Sequence, residues 1–249
     1  MNSLPRVCTR CAPAAGARPG GLPDDGPRLW PDPQLTPPAT QEPAGAVRIQ
    51  QPGLELRLWS GWLANEEREP LLQHLRSAAI PWQQPSVRVF GRLHPVPRLV
   101  CWYGDPGCSY RYSGLSHAPL PWTPPLEGLR EKLAQRLGWS FNSLLLNRYR
   151  SGADRMGWHA DDEAELAADH PIASLSLGVM RTLRFRPRPA AVRGAPSLAA
   201  GHPPLALDLD DGDLLLMEPP TQAHWQHGLP ARLRQGGERF NLTFRRIHT

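Results

Sequence analysis

Hydrophobic positions are unevenly spread along this chain. Residues 1–46 are dominated by Pro, Gly and Ala, with few periodic hydrophobics. Such a stretch cannot bury enough apolar surface to offset its ordering entropy. It is expected to be a disordered leader, with the folded domain at 47–249. Periodicity sets in near Leu54, where Leu54, Leu56 and Leu58 alternate with Glu55 and Arg57, a strand pattern. Asn65 stands where it can cap a helix running through Leu71, Leu72 and Leu75. From Ser86 to Trp102 the apolar pieces are short and broken by Gly91, Pro95 and Pro97, which predicts strands and turns. A proline-rich run over 119–125 is followed by an amphipathic helical pattern from Leu126 to Leu137.

Beyond Ser140 the pattern is mostly β. Strands are predicted at Leu144–Arg150, Ile172–Leu177, Thr182–Arg186, Leu205–Leu209, Asp213–Met217, Ala223–His227 and Phe240–Ile247. The Pro- and Ala-rich stretch 187–204 reads as an insertion between strands. Two helices followed by many short strands predict an α+β protein built on a β-sandwich or barrel.

Composition narrows this further. A chain of 249 residues with 40% hydrophobic residues can bury a sizeable core. No apolar run reaches the length of a membrane helix, and Met1–Gly21 lacks the apolar centre of a signal peptide. The expected setting is the cytoplasm, or the nucleus in a eukaryote, with no membrane partner. The net charge of +5 leans towards polyanions. Cys8 and Cys11 form a lone C-x-x-C without companion ligands and read as unpaired thiols; Cys101 and Cys108 suggest no disulfide framework.

The first chemical motif is His159-Ala-Asp161. Residues two apart on a strand share a face, so an imidazole and a carboxylate can converge on one cation. A second His would complete the facial triad of non-haem iron(II) oxygenases. His170, His202, His224, His227 and His248 follow in the chain, and either His224 or His227 suits the chemistry. The second motif is Arg239-Phe-Asn-Leu-Thr-Phe-Arg245. With period two, Arg239, Asn241, Thr243 and Arg245 share one face and Phe240, Leu242 and Phe244 the other. If the polar face lines an interior, its two guanidiniums need an anion, and a dicarboxylate would serve both. Asn147 and Tyr149 share a face in the same way and offer an amide and a phenol. Arg184, Arg186 and Arg188 also share a face, readable as a solvated basic strand or as phosphate contacts.

Taken together, Asn147-Arg-Tyr149, His159-x-Asp161, His227-Gly and Arg239-x-Asn-Leu-Thr-Phe-Arg245 resemble the AlkB family, closest to its duplex-DNA-repair branch, over roughly residues 54–247. That resemblance implies a double-stranded β-helix (jelly-roll) core at about 140–249, flanking helices, and an N-terminal nucleotide-recognition lid at about 84–118. It implies Fe(2+) held by His159, Asp161 and His227. It implies 2-oxoglutarate held by Asn147, Tyr149, Arg239, Thr243 and Arg245, with Asn241 on the same face, and dioxygen (O2) as the oxidant. The implied activity is oxidative dealkylation of bases such as 1-methyladenine and 3-methylcytosine in DNA.

On the substrate side, Val89-Phe90-Gly91 resembles a finger that wedges into the base stack, and Tyr110 and Tyr112 resemble lid aromatics that stack on a flipped base. Asp162 and Glu163 resemble contacts to the substrate base. The Tyr at 112, where relatives carry Phe, adds a polar group, and the insertion 187–204 is not strongly basic. The partner implied is alkylated duplex DNA with a flipped base, bound by a monomer. Alternatives are the same chemistry on RNA or a protein side chain, or a catalytically silent nucleic-acid-binding module.

Overall fold

The structure, a computed structural model, describes residues 45–89, 91–108, 110–112, 115–189 and 198–249. The expected leader, Phe90 and most of the insertion lie outside the described residues, as do the side chains of Val89, Tyr110 and Tyr112.

Order begins slightly before Leu54. Strand β1 (Val47–Gln51) pairs antiparallel with β2 (Leu54–Trp59). The turn between them needs Gly53, whose φ is +72° and whose missing side chain leaves room for His224. Helix α1 (Asn65–Arg76) starts one residue earlier than a cap at Asn65 would give. Its N-cap is Ala64, which has no side-chain acceptor; instead the Glu67 carboxylate reaches back to the Ala64 N–H at 3.4 Å. Two hairpins, β3 (Ser86–Val89) with β4 (Arg92–Pro95) and β6 (Tyr110–Tyr112) with β7 (Leu115–His117), lie in the span expected to form the lid. Strand β5 (Leu99–Gly104) runs between them, and α2 (Pro124–Leu137) follows, with Pro124 in its first turn and Gly138 closing it at positive φ.

The remaining elements are β8 (Ser143–Tyr149), β9 (Met156–His159), β10 (Ile172–Gly178), β11 (Arg181–Pro187), β12 (Leu205–Leu209), β13 (Leu214–Glu218), a short α3 (Thr221–His224), β14 (Trp225–Leu229) and β15 (Arg239–Arg245). The strand expected at Ala223–His227 is therefore half helix. Thr221 opens that turn, and its hydroxyl joins the Glu55 backbone, accepting from the N–H at 2.9 Å and donating to the carbonyl at 3.1 Å. This tertiary anchor overrides the local β pattern.

A seven-stranded sheet has the order β1-β2-β13-β10-β15-β8-β5, and a four-stranded sheet the order β12-β11-β14-β9. Leu54, Leu56, Ile172, Leu215 and Met217 of the large sheet pack with Phe185, Leu209 and Trp225 of the small one. The two sheets thus face each other as the jelly roll expected, an antiparallel sandwich with helices outside. The other face of the large sheet carries Leu144, Leu146, Leu175, Leu214, Phe240, Leu242 and Phe244, packed under Leu71, Leu72 and Leu75 of α1 and Leu126, Leu129 and Leu133 of α2. Strand period two then sends the alternate residues of β8, β10, β13 and β15 into the space between the sheets. Among the described residues no helix is long and apolar enough to cross a membrane, and Cys101 and Cys108 are buried free thiols.

Arg181 fastens the far end of the small sheet. Its fully buried guanidinium donates to the carbonyls of Ser151 (3.3 Å), Asp154 (3.0 Å) and Pro230 (2.7 Å). Nothing shorter or neutral reaches all three. Arg181→Gln is expected to destabilise the fold by about 3 kcal/mol, the cost of stranding buried carbonyls. A lowered urea midpoint at unchanged slope is the check.

Candidate active site

The inner faces of β8, β9, β14 and β15 meet in one cavity. It is lined by Asn147, Tyr149, His159, Asp161, His227, Arg239, Asn241, Thr243 and Arg245, with Leu145, Met156, Leu183, Met217 and Leu229 as apolar walls.

His159 and His227 are cross-strand partners on β9 and β14. The ladder shifts register just past them, between His227 and Leu229, and the two rings lie 4.2 Å apart. The His159 Nδ1 lies 3.0 Å from the Gly157 carbonyl. A carbonyl only accepts, so this nitrogen carries the proton and Nε2 is left with its lone pair. Asp161 was expected on the same strand face as His159. It lies instead beyond the end of β9, and its backbone N–H donates to the Gln222 amide oxygen at 3.0 Å. A loop held by α3, rather than strand parity, brings the carboxylate round, with Oδ1 3.7 Å from His159 Nε2. Ligand atoms of His159, Asp161 and His227 all lie within 4.8 Å of one another. His224, the other candidate, accepts through Nδ1 from the Leu198 N–H at 3.3 Å and stands outside this group.

The electrostatics suit a divalent cation. Burial opposes the Asp161 charge, but the Arg245 guanidinium, at 2.8 Å from Oδ2, together with both imidazoles holds the carboxyl well below its ordinary range. Burial pushes His227 down to about 3, and His159 adds to the shift, so the ring is neutral with a lone pair free. Two imidazoles and one ionised carboxylate are the donor set that iron(II) takes in facial-triad oxygenases.

The anion end lies deeper. Arg239 is buried; its Nη2 donates to Ser176 Oγ at 2.7 Å, while its Nε has no partner. Burial brings its pKa down to about 10. Arg239 and Arg181 flank the Tyr149 ring, at 5.7 and 6.0 Å from its centroid. A buried cation with an unpartnered donor calls for an anion. The cavity therefore fits a dicarboxylate such as 2-oxoglutarate. Asn241 and Thr243 extend that wall: Thr243 Oγ1 donates to the Asn241 amide oxygen at 3.0 Å, and Asn241 Nδ2 donates to Ser174 Oγ at 2.7 Å. Asn147 turns its amide oxygen to Arg98 at 2.7 Å. Arg245 lines the same cavity, and its Nε and Nη2 donate to Asp161 Oδ2 at 3.2 and 2.8 Å.

A neighbouring cavity of about 370 Å³ shares Asp161, Met217 and Arg245 with the first, and is rimmed by Asp162, Glu163, Arg188 and Gln222. Asp162 and Glu163, expected to face the substrate, thus stand beside the metal carboxylate, with Arg188 gripping Asp162 at 2.8 Å. Gly91 forms the β3–β4 turn at φ +78°. Sequence reasoning missed Arg98 and Gln222, and read Arg188 only as part of a basic strand face, not as the partner of Asp162. In a chain this rich in Arg, Arg98 carries no distinguishing signal.

Comparison with known proteins accords with this geometry. The model of the 2OG-Fe(II) oxygenase superfamily matches residues 55–245. The mouse DNA oxidative demethylase ALKBH2 is 46% identical over 162 residues, covering 65% of this chain and 66% of that protein. Its human counterpart is 45% identical over 161 residues, 65% of this chain and 60% of that protein, so the chain spans just under two thirds of the length of either. The Bos taurus alpha-ketoglutarate-dependent dioxygenase alkB homolog 3 is 33% identical over 228 residues, 91% of this chain and 77% of that protein. The solved structure of OsALKBH1 shares the fold at a TM-score of 0.51 and 21% identity, over 80% of this chain and all of that one.

Proposed function

Because the chain belongs to the 2OG-Fe(II) oxygenase superfamily, within its AlkB group, we propose that it removes alkyl groups oxidatively from nitrogen atoms of DNA bases such as 1-methyladenine and 3-methylcytosine. The observation that carries this reading is one cavity holding both the His159–Asp161–His227 group and the buried Arg239 guanidinium, whose Nε has no partner.

His159 Nε2, Asp161 Oδ1 and a His227 ring nitrogen would hold iron(II), and Arg239, with Tyr149, Asn147, Asn241 and Thr243, would hold 2-oxoglutarate. Together these groups, when bound, supply the oxidation of the N-alkyl carbon by dioxygen, which releases succinate, carbon dioxide and an aldehyde. The chain's own contribution is positional. Arg245 occupies Asp161 Oδ2, which leaves Oδ1 to the metal. The Gly157 carbonyl fixes the His159 tautomer. Leu145, Leu183, Met217 and Leu229 keep bulk water from the reacting atoms. Asp162 and Glu163 give acceptors to an exocyclic amine and favour a cationic lesion. A flipped base would stack on His159, and by their resemblance Tyr110 and Tyr112 would serve as its lid aromatics and Val89-Phe90-Gly91 as the wedge in duplex DNA.

The names of the ALKBH2 relatives favour DNA over RNA or protein. A monomer in the cytoplasm or nucleus suffices for the reaction. Succinate release tests the reading. A methylated oligonucleotide is expected to stimulate it on the order of 10-fold or more, whereas the unmodified strand gives only the uncoupled rate. Equal rates with both strands would refute base dealkylation.

A further inference from the structure

The four-stranded sheet has a second face, turned away from the cavity, that the dealkylation machinery leaves unused. Arg184 and Arg186 alternate with the buried Phe185 on β11 and project outward; Trp158 does the same on β9. Strands β9, β11 and β14 contain no Asp or Glu. Arg155, exposed at the head of β9, and the exposed Arg184 have no carboxylate partner among the described residues.

Trp158 is 40% exposed, and the other large hydrophobic side chains left exposed among the described residues are aliphatic. Its ring is not loose. The Arg186 guanidinium lies 4.5 Å from the ring centroid. That guanidinium is itself fixed by Gln226, whose amide oxygen accepts from Nε at 3.0 Å and Nη2 at 2.9 Å. A solvent-exposed indole held in place by a cation, on a basic face whose strands carry a single carboxylate, Asp208 on the opposite edge strand β12 where it accepts from the Thr182 hydroxyl at 2.6 Å, matches how single-stranded nucleic acid is gripped. Bases stack on aromatic rings regardless of sequence, and cations follow the phosphates. Trp158 directly precedes His159 on β9, an edge strand of its sheet, so the ring and the candidate metal ligand stand on opposite faces of one strand and a nucleic-acid strand can reach both by passing over that edge.

We propose that Trp158, backed by Arg186, is a stacking platform for an unpaired base flanking the alkylated one on the same strand, with Arg155 and Arg184 taking that strand's phosphates. The proposal rests on the nucleic-acid reading above. In duplex DNA the flanking base must be unpaired to reach the ring, so the platform engages locally opened duplex as well as single strands.

The test is binding of the full chain to a fluorescein-labelled oligothymidine of about 15 nucleotides, near the upper end of a single-strand site, followed by anisotropy beside a blunt duplex of equal length. Trp158→Ala is expected to weaken single-strand binding by about 10-fold and duplex binding by less than about twofold, with Trp158→Phe restoring most of the loss and Trp158→Leu none of it. Single-strand affinity within about twofold of wild type, or an equal loss on both probes, overturns the platform. Should Trp158→Ala fail to fold, Arg184→Ala decides: the slope of log affinity against log salt should fall by about 0.7, and an unchanged slope overturns the proposal. The probe carries no lesion, so the assay is independent of turnover. Binding through Trp158 without dealkylation would sink the proposed reaction and leave the platform; dealkylation with unaltered Trp158→Ala binding would do the reverse.

Discussion

Arg239→Met will give a protein at least as stable as wild type that has lost its grip on 2-oxoglutarate. The physical argument begins with the cost of the native residue. Arg239 is buried, its Nε donor has no partner, and burial lowers its pKa to about 10. A group whose charged form is disfavoured on folding opposes folding below its folded-state pKa, and that penalty fades as pH rises through about 10. At neutral pH it amounts to at most about 3 kcal/mol. Met has a similar length and no charge, and such replacements of buried ions are often neutral or stabilising. The dicarboxylate, however, loses its buried counter-charge, which costs roughly 2–5 kcal/mol. The KM for 2-oxoglutarate should therefore rise by about 100-fold or more, at the midpoint of that range. Thermal unfolding checks both halves: 2-oxoglutarate should raise the melting temperature of wild type and leave that of Arg239→Met unmoved. A variant that melts earlier and still responds to 2-oxoglutarate would place the anion elsewhere.

Asp161→Ala is expected to have the larger effect on turnover. Mutating groups that merely orient metal ligands typically costs about 10–100-fold, so losing a ligand should cost on the order of 1000-fold or more. It should also leave Arg245, which is mostly buried, without its counter-ion. Asp161→Asn separates the two consequences. It keeps a neutral acceptor for Arg245 but offers the metal a weaker oxygen, so iron affinity should fall in both variants while stability falls chiefly in Asp161→Ala. Iron stoichiometry by metal analysis and the urea midpoint read the two separately.

The site was legible in the sequence where strand parity is forced by a core. On β15, Phe240, Leu242 and Phe244 pack on the side of the helices and of Trp82, Trp122 and Phe141, so Arg239, Asn241, Thr243 and Arg245 face the cavity. Asn147 and Tyr149 follow from the same logic on β8. Parity misled at His159-x-Asp161, because the strand ends at His159 and the carboxylate is carried by a loop that Gln222 holds. No local signal announces such a contact, which spans 61 residues of sequence. The strand expected at Ala223–His227 failed for a related reason, since Thr221 is tied to β2. Arg98 and Arg181 look like any other Arg until burial shows that they have work inside the fold. Choosing His227 over His224 rested on family resemblance, and the structure places His227, rather than His224, beside His159 and Asp161.

The most direct test of the central claim is mass spectrometry of a duplex oligonucleotide carrying one 1-methyladenine, incubated with the protein, iron(II), ascorbate and 2-oxoglutarate. The account predicts loss of the methyl group that requires 2-oxoglutarate and vanishes in His159→Ala. A methyl group retained by wild-type protein that demonstrably binds iron and 2-oxoglutarate would contradict it.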